Sequence, residues 1–109
     1  MTYKEEMEKI NNEIKELEKI GKTPSKVLYI KQIELLEKAH KEFIEKAVQH
    51  GYDLQANLDI LETEIKQFSA MKQIARKAGF PTEKYDKYIK ESRIRVYGKE
   101  ATEMVFGDK

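Results

Sequence analysis

The chain contains no cysteine and no tryptophan, and only two prolines and five glycines among its 109 residues. Without cysteine there can be no disulfide, no thiolate-held metal and no cysteine nucleophile. No uncharged run approaches the roughly 20 apolar residues that a membrane-crossing helix needs. The opening MTYKEEMEKI also lacks the apolar region of a secretory signal. These absences lead us to expect a cytoplasmic protein that does not enter membranes. Phosphate-loop, dinucleotide-binding and nucleophile-elbow motifs are missing as well. No catalytic residue, cofactor, metal or small-molecule substrate is therefore expected, and the chain reads as a non-enzyme.

What is abundant is charge. Asp, Glu, Lys and Arg make up 38% of the residues, against about 25% in ordinary globular domains. The hydrophobic residues, 39% of the chain, recur at helical spacing, which separates it from a disordered polyelectrolyte. Long helices with wide wet faces account for both numbers. The formal net charge is only +1, but it is unevenly spread. Residues 1–71 hold 11 Lys/Arg against 14 Asp/Glu, and residues 72–99 hold 9 against 3. That basic block is the footprint a polyanion would meet, although lysines on a solvated helix produce the same pattern.

Glycine and proline act as punctuation. The pattern predicts an all-α chain, an elongated antiparallel bundle or hairpin with coiled-coil-like seams and about four helices. One helical domain should span residues 1–109: a heptad helix over 1–20, a long hairpin over 23–79, and a basic C-terminal helix and tail over 80–109. In the first helix Tyr3, Met7, Ile10, Ile14 and Leu17 alternate spacings of four and three, a narrow seam suited to a partner helix or a second copy of the chain. Thr2 is its expected N-cap. Gly21 should end it, and Thr23 with Pro24 should start the next. The second helix has a broad apolar set (Val27, Ile30, Ile33, Leu36, Phe43, Ile44, Ala47, Val48) that implies contact with more than one neighbour. At Gly51 the spacing breaks, so a turn with Asp53 as the next cap is expected; one continuous helix is the alternative. Leu54, Leu58, Leu61, Ile65 and Phe68 then resume the heptad rhythm. KAGFPTEK is a stop followed by a start, with Thr82 as the cap. The fourth helix should carry Tyr85, Tyr88 and Ile89 to about Ser92. RIRVYG then reads as a frayed helix end or a short strand, and the last residues as one more turn near Gly107.

The stretch KQIARKAGFPTEKYDKYI, residues 72–89, permits two readings. As a bundle corner, Gly79-Phe80-Pro81 turns the chain while Tyr85 and Tyr88 close one end with their hydroxyls wet. It also resembles the helix-turn-helix of bacterial repressors of the lactose-repressor type. Ala75 and Gly79 stand at the small and turn positions, and Ile74, Ala78, Phe80, Tyr85 and Tyr88 at the apolar ones. The resemblance implies that Thr82, Lys84, Lys87 and Lys90 face the major groove of duplex DNA, with Lys90, Arg93 and Arg95 serving phosphates.

The remaining chemistry-bearing residues read as structural. His40 falls on the apolar face of helix two and is expected to be a core histidine bonded to a neighbour. His50 suits the negative end of that helix. Glu34, Glu37, Glu42 and Glu45 alternate with Lys31, Lys38, Lys41 and Lys46 as on a solvated helix. The leading expectation is thus a regulatory or adaptor protein that binds a protein partner through helix faces, of the small phage- or mobile-element inhibitor type. Homodimerisation through the first seam is expected with it, and DNA binding through residues 72–97 is the alternative.

Overall fold

Helix ends organise this molecule. In a computed structural model, which describes residues 2–107, five helices follow one another: α1 (Tyr3–Lys19), α2 (Lys26–Gln49), α3 (Leu58–Ala78), α4 (Glu83–Tyr97) and α5 (Lys99–Phe106). No strand occurs among the described residues. The chain is all-α, with one helix more than expected because RIRVYG continues α4 to Tyr97 and the tail forms two turns rather than one.

Three helices stop in the same way. After α3, Gly79 adopts φ 81° and ψ 20°, and the Phe80 amide reaches back to the Ala75 carbonyl at 2.8 Å. This left-handed ending is open to glycine at little cost and satisfies carbonyls that the helix leaves unpaired. Gly21 and Gly51 repeat it, with Lys22 N–H donating to the Leu17 carbonyl and Tyr52 N–H to the Ala47 carbonyl. Gly51 is therefore a turn and not a mid-helix residue.

The starts differ from expectation at three places. Thr2 caps α1, accepting from the Glu5 amide at 3.2 Å. Ser25 rather than Thr23 caps α2, accepting from the Val27 amide at 3.2 Å. Asp53 spends its carboxylate on an Asx turn with the Gln55 amide at 2.9 Å, so Leu54 lies in a turn and Asn57 caps α3 instead. Thr82 does stand at the head of α4, but its hydroxyl makes no cap bond; it donates to Asp86 Oδ2 at 3.3 Å.

Side-chain pairs show that α3 runs antiparallel to α2, and α4 to α3. Between α2 and α3, Lys26 lies over the Phe80 ring and His40 bonds Glu64. Between α1 and α2, Gln32 donates to Asn11 Oδ1. Between α3 and α4, Lys72 pairs with Asp86 and Phe68 meets Tyr88. Two buried clusters result. Ile10, Ile14, Tyr29 and Ala78 form one; Ile33, Met71, Ala75 and Tyr85 form the other; half-buried Ile74 and Phe80 pack against both. Val27, Ile30 and Val48, expected in the core, are exposed. The core-facing stripe of α2 is narrower than its composition suggested, because only consecutive helices bring their backbones close. The molecule is consequently broad and thin, 46 × 38 × 17 Å.

Leu61 is 0% exposed, and Leu61→Ala is expected to cost about 2–5 kcal/mol through lost burial and the cavity left behind. Nothing lies within 4 Å of a Cβ added at Gly79, so Gly79→Ala should cost only the backbone term, about 1–2 kcal/mol. Urea denaturation of the two variants checks both magnitudes and their order.

Candidate functional site

On α4, Tyr85, Ile89 and Ser92 are the buried stripe that faces the rest of the fold. Helical geometry, at about 100° per residue, then decides where each neighbouring cation goes. Lys84 and Arg95 fall on one flank, Lys90 and Arg93 on the other, and Lys87 on the exposed ridge between them. The two flanks are two separate clefts.

The first cleft, about 640 Å³, lies between α2, α3 and α4 and takes Lys84 and Arg95. Its floor is a run of rings: His40 stands 4.8 Å from Phe68, and Phe68 stands 5.0 Å from Tyr88. His40 Nε2 bonds Glu64 Oε2 at 3.0 Å, with both side chains half-buried. The histidine is thus held by a neighbour as expected, on the cleft wall rather than deep in the core. Glu37, Glu64 and Glu91 oppose Lys38, Lys41, Lys84 and Arg95 around this cleft, so it presents no single sign of charge. Lys84 Nζ lies 5.1 Å from the Tyr85 ring.

The second cleft, about 420 Å³, lies between α3, α4 and α5 and is basic. Lys72 and Arg76 come from α3, four residues apart on one face; Lys90 and Arg93 come from α4. Lys72 Nζ pairs with Asp86 Oδ1 at 2.5 Å. That bond, more than any other cause, holds the Asp86 carboxyl below the usual carboxylate range; burial acts against it, while the charge of Lys72, the Thr82 hydroxyl and the charge of Arg76 add to it. The Arg93 guanidinium lies 3.9 Å above the Phe106 ring, and Phe106 meets Tyr97 at 5.9 Å. These stacked groups seat α5 on α4. Thr102 of α5 lines the cleft with only 2% of its surface exposed, and its Oγ1 has no hydrogen-bond partner among the described residues.

The first-helix seam is divided too. Ile10 and Ile14 are buried within the chain, against Tyr29 and Ala78. Tyr3 and Met7 line a groove of about 470 Å³ shared with α2 and α3. Leu17 is half-buried beside exposed Ile20 on another face. An acidic substitution at Ile10 or Ile14 would therefore strike the core of the monomer before any interface.

In the repressor-like stretch, Ala75, Ala78 and Tyr85 are buried and Gly79 is left-handed. Tyr88 is 40% exposed, and Ile89 takes the buried position instead. The contacts of Phe68 with Tyr88 and Lys72 with Asp86 run α4 back along α3 as a hairpin. Sequence reasoning missed Lys72, Arg76, Asp86 and Thr102 as a set. The i, i+4 spacing of Lys72 and Arg76 was a usable signal for two of them, while nothing local marked Thr102.

Among the described residues no three His, Asp or Glu side chains gather as a metal ion would require, and no helix is long and apolar enough to cross a membrane.

Because the folded carboxyl of Asp86 is depressed, its stabilising contribution stands at neutral pH and is lost as pH falls through the folded value. Lys72→Met should raise the Asp86 titration midpoint toward the ordinary carboxylate value and flatten this part of the acid dependence. Carboxyl-carbon NMR measures the midpoint; an unmoved Asp86 would remove Lys72 as the cause.

Comparison with protein-family models, curated proteins and solved structures finds no significant match to the chain.

Proposed function

We propose that the chain is a non-catalytic regulatory or adaptor protein that works by helix-face binding to another protein, in the manner of small inhibitors carried by phages and mobile elements. One observation carries this reading: the surface is larger than the chain needs. Its accessible surface is 7925 Å², against roughly 6,300 Å² for a compact monomer of this mass. The Cα radius of gyration is 16.1 Å, against about 13 Å for a compact domain near this length. The excess, roughly 1,600 Å², is about twice the 800 Å² or so that one partner contributes to a standard protein interface. Apolar side chains stand outward at the hairpin tip (Val48, Tyr52, Leu58) and on and beside α5 (Tyr97, Val105, Phe106).

A second copy of the chain is one partner we propose, docking through the end of α1 where Tyr3 is exposed and Met7 half-buried. Sedimentation equilibrium should give a dimer mass, and Tyr3→Glu with Met7→Glu should give a monomer of unchanged helical content. A wild-type chain that stays monomeric up to roughly 100 µM, a weak-affinity limit, would remove the homodimer.

A second reading, a DNA-binding regulator using residues 72–97, draws support from the left-handed Gly79 turn between buried Ala75 and buried Tyr85. It asks Thr82, Lys84, Lys87 and Lys90 to meet bases, and Arg93 and Arg95 to meet phosphates, from positions that diverge around α4. Duplex titration across salt decides it. Counterion release requires affinity to drop steeply as salt rises, and absence of binding near 50 mM salt, a permissive ionic strength for phosphate contacts, would end this reading.

A further inference from the structure

We infer that the basic cleft between α3, α4 and α5 is a binding site for a small oligophosphate anion, one with two or more phosphoryl groups.

Charge is the first ground. Arg76, Lys90 and Arg93 line the cleft, and among the described residues no carboxylate lies within 4.0 Å of any of them. Among the described residues the one carboxylate on the cleft wall, Asp86, is paired with Lys72 and also feels the charge of Arg76. Lys90 and Arg93, with Arg76 only partly offset by Asp86, repel one another and raise the positive field over the cleft, and because Arg76 and Lys90 are exposed, solvent screens part of it. A multiply charged anion relieves that repulsion. A single monovalent anion would leave most of it in place.

Thr102 is the second ground and is independent of charge. Its Oγ1 is enclosed and unpaired, a state that buried hydroxyls rarely keep because the lost hydration is not recovered. It belongs to the wall of this same cleft. No surface of the oxygen itself is open to the cleft, so a phosphoryl oxygen would accept from it once a neighbouring side chain moved aside. Ser69 and Gln73, also on the wall, add uncharged hydrogen-bonding groups of the kind that orient an anion.

Arg93 supplies the third. Stacked on the Phe106 ring at 3.9 Å, its planar guanidinium is fixed in orientation while its N–H edge remains free to donate. That pre-ordered fork suits the paired oxygens of a phosphoryl group.

The shape favours a free anion over a polynucleotide. The volume of about 420 Å³ lies in the range of small-ligand sites, about 300–1,000 Å³. Helix α5 walls one side, and Lys84 and Arg95, which could have extended a basic track, line the other cleft. A strand's backbone would have no continuous path to follow.

The test is calorimetric titration of the full chain with inorganic pyrophosphate at low salt, with adenosine diphosphate and sulfate as parallel arms. Saturable one-to-one binding of pyrophosphate, at least roughly tenfold tighter than sulfate, is expected, since more charge-assisted bonds form. Comparable affinity for the two phosphorylated probes identifies the phosphoryl chain as the recognised group; tighter binding of the nucleotide extends the site to a base. Thr102→Val keeps the shape and removes the hydroxyl. It should leave thermal stability equal or higher, yet weaken pyrophosphate by roughly tenfold, the usual loss of a hydrogen bond to a charged group. Arg76→Gln with Arg93→Gln should abolish binding with the helical circular dichroism preserved. The inference is overturned by absence of saturation, by sulfate matching pyrophosphate, by a folded Thr102→Val chain that keeps full affinity, or by duplex DNA that binds tighter and displaces the probe.

Discussion

Everything in this fold leans on the corner at Gly79-Phe80-Pro81. Gly79 takes a left-handed conformation, the Phe80 amide closes back on Ala75, and the Phe80 ring then drops against both buried clusters. A side chain serving two clusters at once ties the α1–α2 half of the molecule to the α3–α4 half. Lys26 covers the ring from the start of α2 at 5.7 Å, so the corner and the first hairpin are packed as one unit. Pro81 forbids the helix from running on, and α4 leaves the corner already pointed back along α3. The direction of α4 then fixes which of its residues reach which cleft. A local backbone choice at one glycine thus propagates to the distribution of charge on the surface.

The high charge content explains why the helices spread. Each has one apolar stripe, and the stripes suffice to join sequence neighbours but not to wrap five helices around a single centre. Backbones approach only between consecutive helices, and the clusters are small, with Leu61 and Met71 among the few large side chains fully enclosed. The consequence is a thin molecule whose faces are large relative to its mass. Grooves form wherever two helices diverge, and their chemistry follows from which flank of each helix meets them. The α2–α3–α4 groove meets flanks of both signs and has a ring-lined floor; the α3–α4–α5 groove meets flanks that are almost wholly basic.

Helical class, the first three turns and the ends of three helices were legible in the sequence, because glycine in a left-handed ending is a strong local signal. The starts were less so. Thr23 and Ser25 stand two residues apart, as capping candidates of similar strength, and so do Asp53 and Asn57 four apart; which oxygen wins depends on the whole loop. Asp53 was lost to an Asx turn. The basic block at 72–99 was visible, but a linear count cannot show that α4 sends Lys84 and Arg95 one way and Lys90 and Arg93 the other. Nor can it show that Lys72 and Arg76 stand opposite the second pair, since that depends on how far α4 has turned back along α3. The α1 seam was legible as a stripe, while its partner was not: Ile10 and Ile14 found Tyr29 and Ala78 of the same chain.

Helix α5 shows how a surface and a cleft can depend on the same contact. Among the helices its backbone comes close only to α4, and Arg93 on Phe106 with Phe106 on Tyr97 is the aromatic and cationic part of that hold. Thr102, one turn before Phe106 on the same helix, completes the wall of the basic cleft while Met104 and Val105 remain in solvent. If α5 lifted, Arg93 would lose the ring that orients it, the cleft would lose its wall, and the enclosed Thr102 hydroxyl would regain water. Those three changes cannot be separated, because one eight-residue helix carries them all. An anion that draws on Arg93 and Thr102 together would for that reason also favour the seated position of α5, and with it one particular arrangement of the exposed apolar side chains on its outer face.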